Sequence, residues 1–153
     1  MPKTVGRGKR PQLTIVYLDD QRWLLPLADR LLSEGGYCCR GYLDPLAVLE
    51  LLKNGTERVD LVLTDQHMSG MTGIAFTRLA KALRPDLPIV MISGHLSDDL
   101  REAATAAGVS AFILKPAFST ELVKVVRELL PTPPQSLRRP HRARGEHKSR
   151  PQK

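Results

Sequence analysis

Short apolar runs alternate with longer amphipathic stretches along most of the chain. Five mostly apolar runs, of five or six residues each, lie at 13–18, 37–42, 59–64, 88–92 and 110–114. Between and after them, apolar positions recur every three to four residues, which predicts helices at 23–34, 45–53, 72–83, 97–107 and 119–130. Strands that are apolar on both faces are typical of a parallel sheet covered by helices on each side.

Five successive β/α units predict the fold class. We expect an α/β fold with a doubly wound, five-stranded parallel sheet of flavodoxin-like order, 2-1-3-4-5, and five helices. Gly35, Gly55 and Gly108 follow three of the predicted helices and are typical helix ends. Ser97 and Ser119 are expected to cap the fourth and fifth helices at their N-termini.

Polar residues follow four of the five predicted strands. Asp19 and Asp20 follow the first, Asp65 the third, Ser93 the fourth and Lys115 the fifth. The carboxyl ends of parallel strands lie at one edge of such a sheet, where α/β proteins bind ligands. Each residue alone is compatible with a turn or a helix cap. Their joint arrangement predicts a pocket for a hard divalent cation and a phosphoryl group.

The chemistry of these side chains suggests a role for each. Asp65 is the candidate phosphoacceptor, because a carboxylate is ionised at neutral pH and can attack phosphorus to form an acyl phosphate. Asp19 and Asp20 would recruit Mg²⁺, which uses one or two carboxylates together with water and phosphate oxygens. Lys115 would pair with phosphoryl oxygens, and Ser93 would donate a hydroxyl to one of them.

Composition and charge divide the chain into three parts. The net charge is +7, yet residues 11–130 carry 12 basic and 15 acidic side chains. The excess lies at the ends, with four basic residues in 1–10 and seven against one acidic residue in 131–153. We therefore predict a basic N-terminal extension at 1–11, one domain at 12–130, and a disordered Pro- and Arg-rich tail at 131–153.

Several classes of protein are disfavoured by the composition. No apolar run approaches the roughly 18 residues that a membrane span requires, and the basic N-terminus lacks the apolar segment of a secretory signal. Cys38 and Cys39 are adjacent, so they give neither a disulfide framework nor metal-ligand spacing, and we interpret them as strand residues. A cytoplasmic protein with no membrane contact is expected.

Five stretches of the sequence together resemble a known family. They are 15–20, 60–65, 68–73, 83–90 and 112–116. The chain resembles the receiver (response-regulator) domain of two-component signalling over about 12–130, and in particular the receivers of hybrid histidine kinases. The resemblance implies Mg²⁺-dependent phosphotransfer to Asp65 from a histidine kinase or a histidine phosphotransfer protein. It also implies that Asp20, Asp65 and the backbone carbonyl of His67 bind Mg²⁺, with Asp19 acting largely through water.

The family resemblance implies a conformational switch as well. Ser93 would turn toward the phosphoryl group, and Phe112 would rotate into the space behind it, although Phe112 alone also fits a plain core aromatic. The face formed by helix 4, strand 5 and helix 5 would then change, and would signal to a downstream protein target or form a phosphorylation-dependent homodimer. The peptide bond between Lys115 and Pro116 is expected to be cis, as in this family.

Three features depart from the family pattern. Ser69 stands where proline is usual, which predicts a more mobile loop after Asp65, and Gln21 stands where an acidic or polar residue is usual. His67 and His95 flank the expected site at positions that tune the lifetime of the acyl phosphate. We hypothesise that their imidazoles hinder the attacking water. Exposed loop histidines without a kinetic role are the alternative.

Alternative functions remain open from the sequence. The basic tail could contact nucleic-acid phosphates, but it lacks the interleaved aromatics of a single-strand binder, so no nucleic-acid partner is expected. The chain could be the receiver part of a hybrid kinase, although Met1 and the tail favour a free-standing protein without an output domain. A hydrolase would need a general acid beside Asp65, and Gln66 is a poor one. We expect a phosphoacceptor with at most weak self-catalysed chemistry, not a turnover enzyme.

Overall fold

The computed structural model describes residues 12–131 of the 153. The predicted basic extension at 1–11 and the predicted tail from residue 132 onward lie outside the described residues. Five strands and five helices alternate through the described part of the chain. The strands are β1 (Thr14–Leu18), β2 (Cys38–Tyr42), β3 (Leu61–Asp65), β4 (Ile89–Ser93) and β5 (Ala111–Leu114). The helices are α1 (Leu25–Glu34), α2 (Pro45–Asn54), α3 (Gly73–Leu83), α4 (Asp98–Ala107) and α5 (Phe118–Leu129).

The strands form one parallel sheet in the order β2-β1-β3-β4-β5. The predicted fold class and strand order are confirmed. The register pairs Leu18 with Thr64 and Asp65 with Ile92, so β1, β3 and β4 end side by side. The carboxyl ends of the three central strands therefore form one continuous edge.

Alternation along the central strands builds a core on each face of the sheet. Ile15 and Tyr17 of β1 pack into a cluster with residues of α1 and α5, whereas Val16 and Leu18 pack into a second cluster with residues of α2 and α3. A third, smaller cluster includes Ala104 of α4. Every residue of β1, β3 and β4 is buried, which is why these runs are apolar at consecutive positions.

The turn before α1 and the N-cap of α5 differ from the prediction. A 3-10 turn at Arg22–Leu24 precedes α1, and Pro26 lies in the first turn of that helix, where its missing N–H is not needed. Ser97 caps α4 as predicted, since its side chain accepts a hydrogen bond from the Leu100 amide. Ser119, however, lies inside α5 and does not cap it.

The start of α5 also corrects the expectation of a cis peptide. Lys115–Ala117 forms a 3-10 turn in which the Phe118 amide donates to the Lys115 carbonyl, so the turn continues directly into α5. No cis peptide bond occurs in residues 12–131, and the Lys115–Pro116 bond is trans. The prediction of a cis Pro116 was wrong. A trans proline fits here because the first turn of a helix accepts a residue without an N–H.

Candidate functional site

The predicted site residues meet at the carboxyl edge of the sheet. Asp65 and Ser93 are the last residues of β3 and β4, Asp19 and Asp20 follow β1, and Lys115 follows β5. Asp19, Asp65 and Ser93 are each only 2% exposed. Acidic groups are rarely buried without partners, so we expect each buried carboxylate at this edge to be hydrogen-bonded or paired with a cation.

Asp65 lies at the centre of the edge and is paired with a lysine. The ammonium Nζ of Lys115 is 3.1 Å from Asp65 Oδ2, and the two residues are 50 positions apart in the sequence. The His67 amide donates a longer bond, of 3.4 Å, to Asp65 Oδ1. Lys115 retains 24% side-chain exposure, so a partly exposed lysine is paired with a buried carboxylate.

Asp19 is held by a tyrosine that the sequence analysis did not single out. The Tyr17 hydroxyl donates to Asp19 Oδ2 at 2.8 Å, and the Gln21 amide donates to Asp19 Oδ1 at 2.9 Å. Residues two apart on a strand point to the same face, so the spacing of Tyr17 and Asp19 could have indicated this contact. The site therefore includes a buried phenol beneath its carboxylates.

Burial and nearby acidic charges raise the pKa values of Asp19 and Tyr17. Burial raises the pKa of the Asp19 carboxyl, and the charge of Asp65 adds to the rise, although the hydrogen bonds from Gln21 and Tyr17 and the charge of Lys115 oppose it. Burial also raises the pKa of the Tyr17 phenol, as do its hydrogen bond to Asp19 and the nearby acidic charges. Two buried carboxylates thus repel each other where a cation would relieve the repulsion.

The third acid, Asp20, binds a backbone amide of the β3–α3 loop. Its Oδ2 accepts a hydrogen bond of 2.8 Å from Ser69 N–H. Asp20 is half-buried, unlike Asp19 and Asp65. The bond joins the loop after β1 to the loop after β3 across 49 positions of sequence.

Gln66 fixes the same loop to the beginning of α3. Its side-chain Oε1 accepts from the Ile74 amide at 3.1 Å, and its backbone carbonyl accepts from the Gly73 amide at 3.0 Å. A Cβ on Gly73 would lie 2.5 Å from the Asp65 carbonyl oxygen, so only glycine allows this close approach. Gln66, which the sequence suggested only as a poor general acid, therefore has a structural role that its sequence context did not indicate.

Ser93 points into its own loop. Its hydroxyl donates to the His95 carbonyl at 2.6 Å, and the His95 amide lies 3.4 Å from Ser93 Oγ. To bind a phosphoryl oxygen, Ser93 would have to exchange this partner. The side chains of His67 and His95 are both exposed at the rim of the site.

Beside this edge, Phe112 of β5 is half-buried, and an arginine of α4 covers its ring. The guanidinium carbon of Arg101 lies 5.0 Å from the ring centroid, within the range of a cation–π contact. Phe112, Leu114, Arg101 and Glu121 line a surface cavity of about 470 Å³ between α4, β5 and α5. Leu114 is 44% exposed, so this face presents both apolar and charged groups.

The carboxylates fit Mg²⁺ by the chemistry of their oxygens. In the described part of the chain, no three His, Cys, Asp or Glu side chains converge as a metal cage. Mg²⁺ does not require one, because it retains several waters and uses one or two carboxylates with phosphate oxygens. Asp19, Asp20 and Asp65 offer hard oxygens at one edge, and the mutual repulsion of Asp19 and Asp65 favours a cation there.

The fold and this acidic edge define a parallel α/β domain with a carboxylate cluster at the ends of its central strands. The model of the response regulator receiver domain family matches residues 15–127. The chain belongs to this family, which places it in two-component signalling. The family identified from the sequence is confirmed. None of the described helices is both long and apolar enough to cross a membrane.

Individual relatives are similar over the receiver domain alone. The cyclic di-GMP phosphodiesterase response regulator RpfG of Xanthomonas campestris is 35% identical over 114 residues, which are 72% of this chain and 30% of that protein. The transcriptional regulatory protein PrrA of Mycobacterium leprae is 30% identical over 117 residues, 76% of this chain and 49% of that protein. The chain thus spans less than half the length of these relatives.

Solved structures support the same fold. Chemotaxis protein CheY4 of Vibrio cholerae has a TM-score of 0.71 at 22% identity, covering 78% of this chain and all of that one. A CheY-like receiver domain protein of Methanospirillum hungatei has a TM-score of 0.70 at 24% identity, covering 77% of this chain and 93% of that one.

Proposed function

We propose that this receiver domain accepts a phosphoryl group on Asp65 from a histidine kinase or a histidine phosphotransfer protein. The observation that carries the proposal is the buried Asp65 carboxylate with the Lys115 ammonium 3.1 Å from its Oδ2. A buried acid paired with one partly exposed cation is a nucleophile with a positive charge placed for an incoming phosphate. Membership of the receiver family supports the same role.

The transfer forms one bond and breaks another. A carboxylate oxygen of Asp65 bonds to phosphorus as the P–N bond of the donor phosphohistidine breaks, and the electron pair of that bond stays on the imidazole nitrogen. Lys115 balances negative charge on the phosphoryl oxygens. Asp20, Asp65 and the His67 carbonyl would hold Mg²⁺, with Asp19 acting through water. The cation would neutralise charge between the attacking carboxylate and the phosphate.

Phosphorylation would then change the face formed by α4, β5 and α5. Ser93 leaves the His95 carbonyl for a phosphoryl oxygen, and Phe112 moves inward, away from Arg101. A local charge would thereby bias two packing arrangements of this face. A protein target or a second copy of the chain would bind the changed face. The domain acts in this proposal as a phosphorylated switch with only weak chemistry of its own.

The lifetime of the acyl phosphate would depend on the two rim histidines. His67 and His95 are exposed beside the pocket, where their imidazoles can obstruct water. We expect faster dephosphorylation in His67→Asn and His95→Ala than in wild type. Half-lives equal to wild type in both variants would remove this role and leave them as exposed loop residues.

The first test of the proposal measures intact mass. Wild type, incubated with Mg²⁺ and acetyl phosphate, should gain one phosphoryl group that alkali removes, because acyl phosphates hydrolyse readily at high pH. Asp65→Asn preserves the shape of the side chain but removes its nucleophilic charge, and it should gain none. Phosphorylation of Asp65→Asn to the wild-type extent would assign the acceptor elsewhere, and unmodified wild type would contradict the proposal itself.

A further inference from the structure

The loop after β3, residues 66–72, contacts the acidic edge through a backbone group. Ser69 N–H donates to Asp20 Oδ2 at 2.8 Å. Proline, which the family resemblance led us to expect at this position, has no N–H to donate. The hydrogen bond is therefore possible only because another residue replaces proline at position 69.

The same loop is fixed at both of its ends. Gln66 follows β3 directly and binds the Ile74 amide through its side chain, and the Thr72 side chain caps α3 by accepting from the Ala75 amide. The position of Ser69 is thus set by a short segment held to α3. An amide in such a segment holds its acceptor in one orientation, which a flexible side chain or bulk water would not do.

We propose that the Ser69 backbone N–H is a positioning group that orients Asp20 for Mg²⁺ and couples metal binding to the 66–72 loop. The inference rests on the proposed function, in which Asp20 is a metal ligand. A carboxylate has two oxygens, and the amide engages Oδ2 alone. Carboxylate ligands held by a hydrogen bond need no reorientation when a cation binds, and removing such a bond weakens metal affinity.

The coupling must act in both directions. If the hydrogen bond from the Ser69 amide to Asp20 favours Mg²⁺ binding by some factor, bound Mg²⁺ must favour that hydrogen bond by the same factor. The loop would then be more ordered when the metal is present, before any phosphoryl group arrives. This prediction separates a positioning role from a merely structural one, because a bond that only stabilised the fold would not respond to Mg²⁺.

Calorimetric titration of the full chain with Mg²⁺ tests the first direction. Ser69→Pro removes the amide, and Ser69→Ala retains it while removing the hydroxyl. Because the contact is exposed, we expect the dissociation constant of Ser69→Pro to rise about tenfold, the lower end of the range for such partners. Ser69→Ala should bind as wild type does. Equal affinity in all three proteins, or equal weakening in both variants, would overturn the role of the amide.

Hydrogen exchange of the Ser69 amide in wild type tests the second direction. Mg²⁺ should slow this exchange by the factor that Ser69→Pro loses in affinity. The measurement needs no variant, so it decides the question even if Ser69→Pro does not fold. Faster exchange with Mg²⁺ would mean that amide and cation compete, which overturns the proposal. Wild type that binds no Mg²⁺ overturns the metal assignment as well, whereas binding without any change at Ser69 overturns this inference alone.

Discussion

Replacing Gly73 by alanine should lower the free energy of unfolding of the domain, because Gly73 packs against the backbone of Asp65 and Gln66. The new Cβ would lie 2.5 Å from the Asp65 carbonyl oxygen and 3.1 Å from Gln66 Cα, whereas ordinary contacts begin at 3.4 Å. The backbone would have to move by about 0.9 Å to bring the new Cβ to 3.4 Å from the Asp65 carbonyl oxygen. Overpacking of this kind costs about 1–3 kcal/mol, and the better helix propensity of alanine offsets up to about 1 kcal/mol. Because the clash is with backbone atoms, the cost should lie near the upper end, about 3 kcal/mol, and a net loss of about 2 kcal/mol is expected.

Urea unfolding measures this loss directly. With a denaturant slope of about 2 kcal/mol per molar, the midpoint should fall by about 1 M. Gly94→Ala is the matched control, because a Cβ there meets nothing within 4 Å and Gly94 has no positive φ. The control should stay within about 0.5 kcal/mol of wild type. If the free energy of unfolding of Gly73→Ala also lay within about 0.5 kcal/mol of wild type, the start of α3 would not require glycine.

Three further predictions concern the charges around the edge. Lys115→Ala should slow acetyl-phosphate labelling of Asp65 by about tenfold or more, because one cation on the transferring group is lost; labelling at the wild-type rate would contradict its role. Burial raises the pKa of Asp19, so its ionisation opposes folding as pH rises through that pKa. The stability of Asp19→Asn relative to wild type, measured by thermal unfolding, should therefore increase from pH 4 to pH 8, and a constant difference would contradict the shift. Arg101→Ala removes the cation over the Phe112 ring and should lower the free energy of urea unfolding by about 0.5–1 kcal/mol. In a Phe112→Leu background the same mutation should have no effect, because no ring remains beneath the guanidinium.

The sheet could be predicted because its central strands are buried on both faces, which makes consecutive residues apolar. Val62 and Leu63, which point to opposite faces of β3, are both fully buried, and only a strand covered on both sides accounts for such consecutive apolar positions. The strand order followed from the regular alternation with helices. The positions of Asp19, Asp65 and Lys115 followed in turn, because parallel strands all end at the same edge.

Contacts made by loops could not be predicted in the same way. The hydrogen bond from Ser69 to Asp20 joins two loops through a backbone amide. Every residue except proline has such an amide, so the sequence shows that the donor is present but not which group accepts from it. The side chain of Gln66 has polar partners only because Gly73 brings α3 close to β3. The geometry of Pro116 depended on whether α5 begins after the proline or incorporates it in a helical turn. Such features depend on tertiary geometry, which hydrophobic periodicity does not encode.

Trp23 gives the acidic edge an optical reporter of its own. It is the single tryptophan in the chain and is 62% exposed. Its indole Nε1 donates to the side chain of Gln21 at 3.1 Å, and the Gln21 amide donates to Asp19 at 2.9 Å. A cation or a phosphoryl group that moved Asp19 would therefore perturb the surroundings of the indole through one intervening residue. We expect changes in its emission, measured by stopped flow in unlabelled protein, to follow both proposed events.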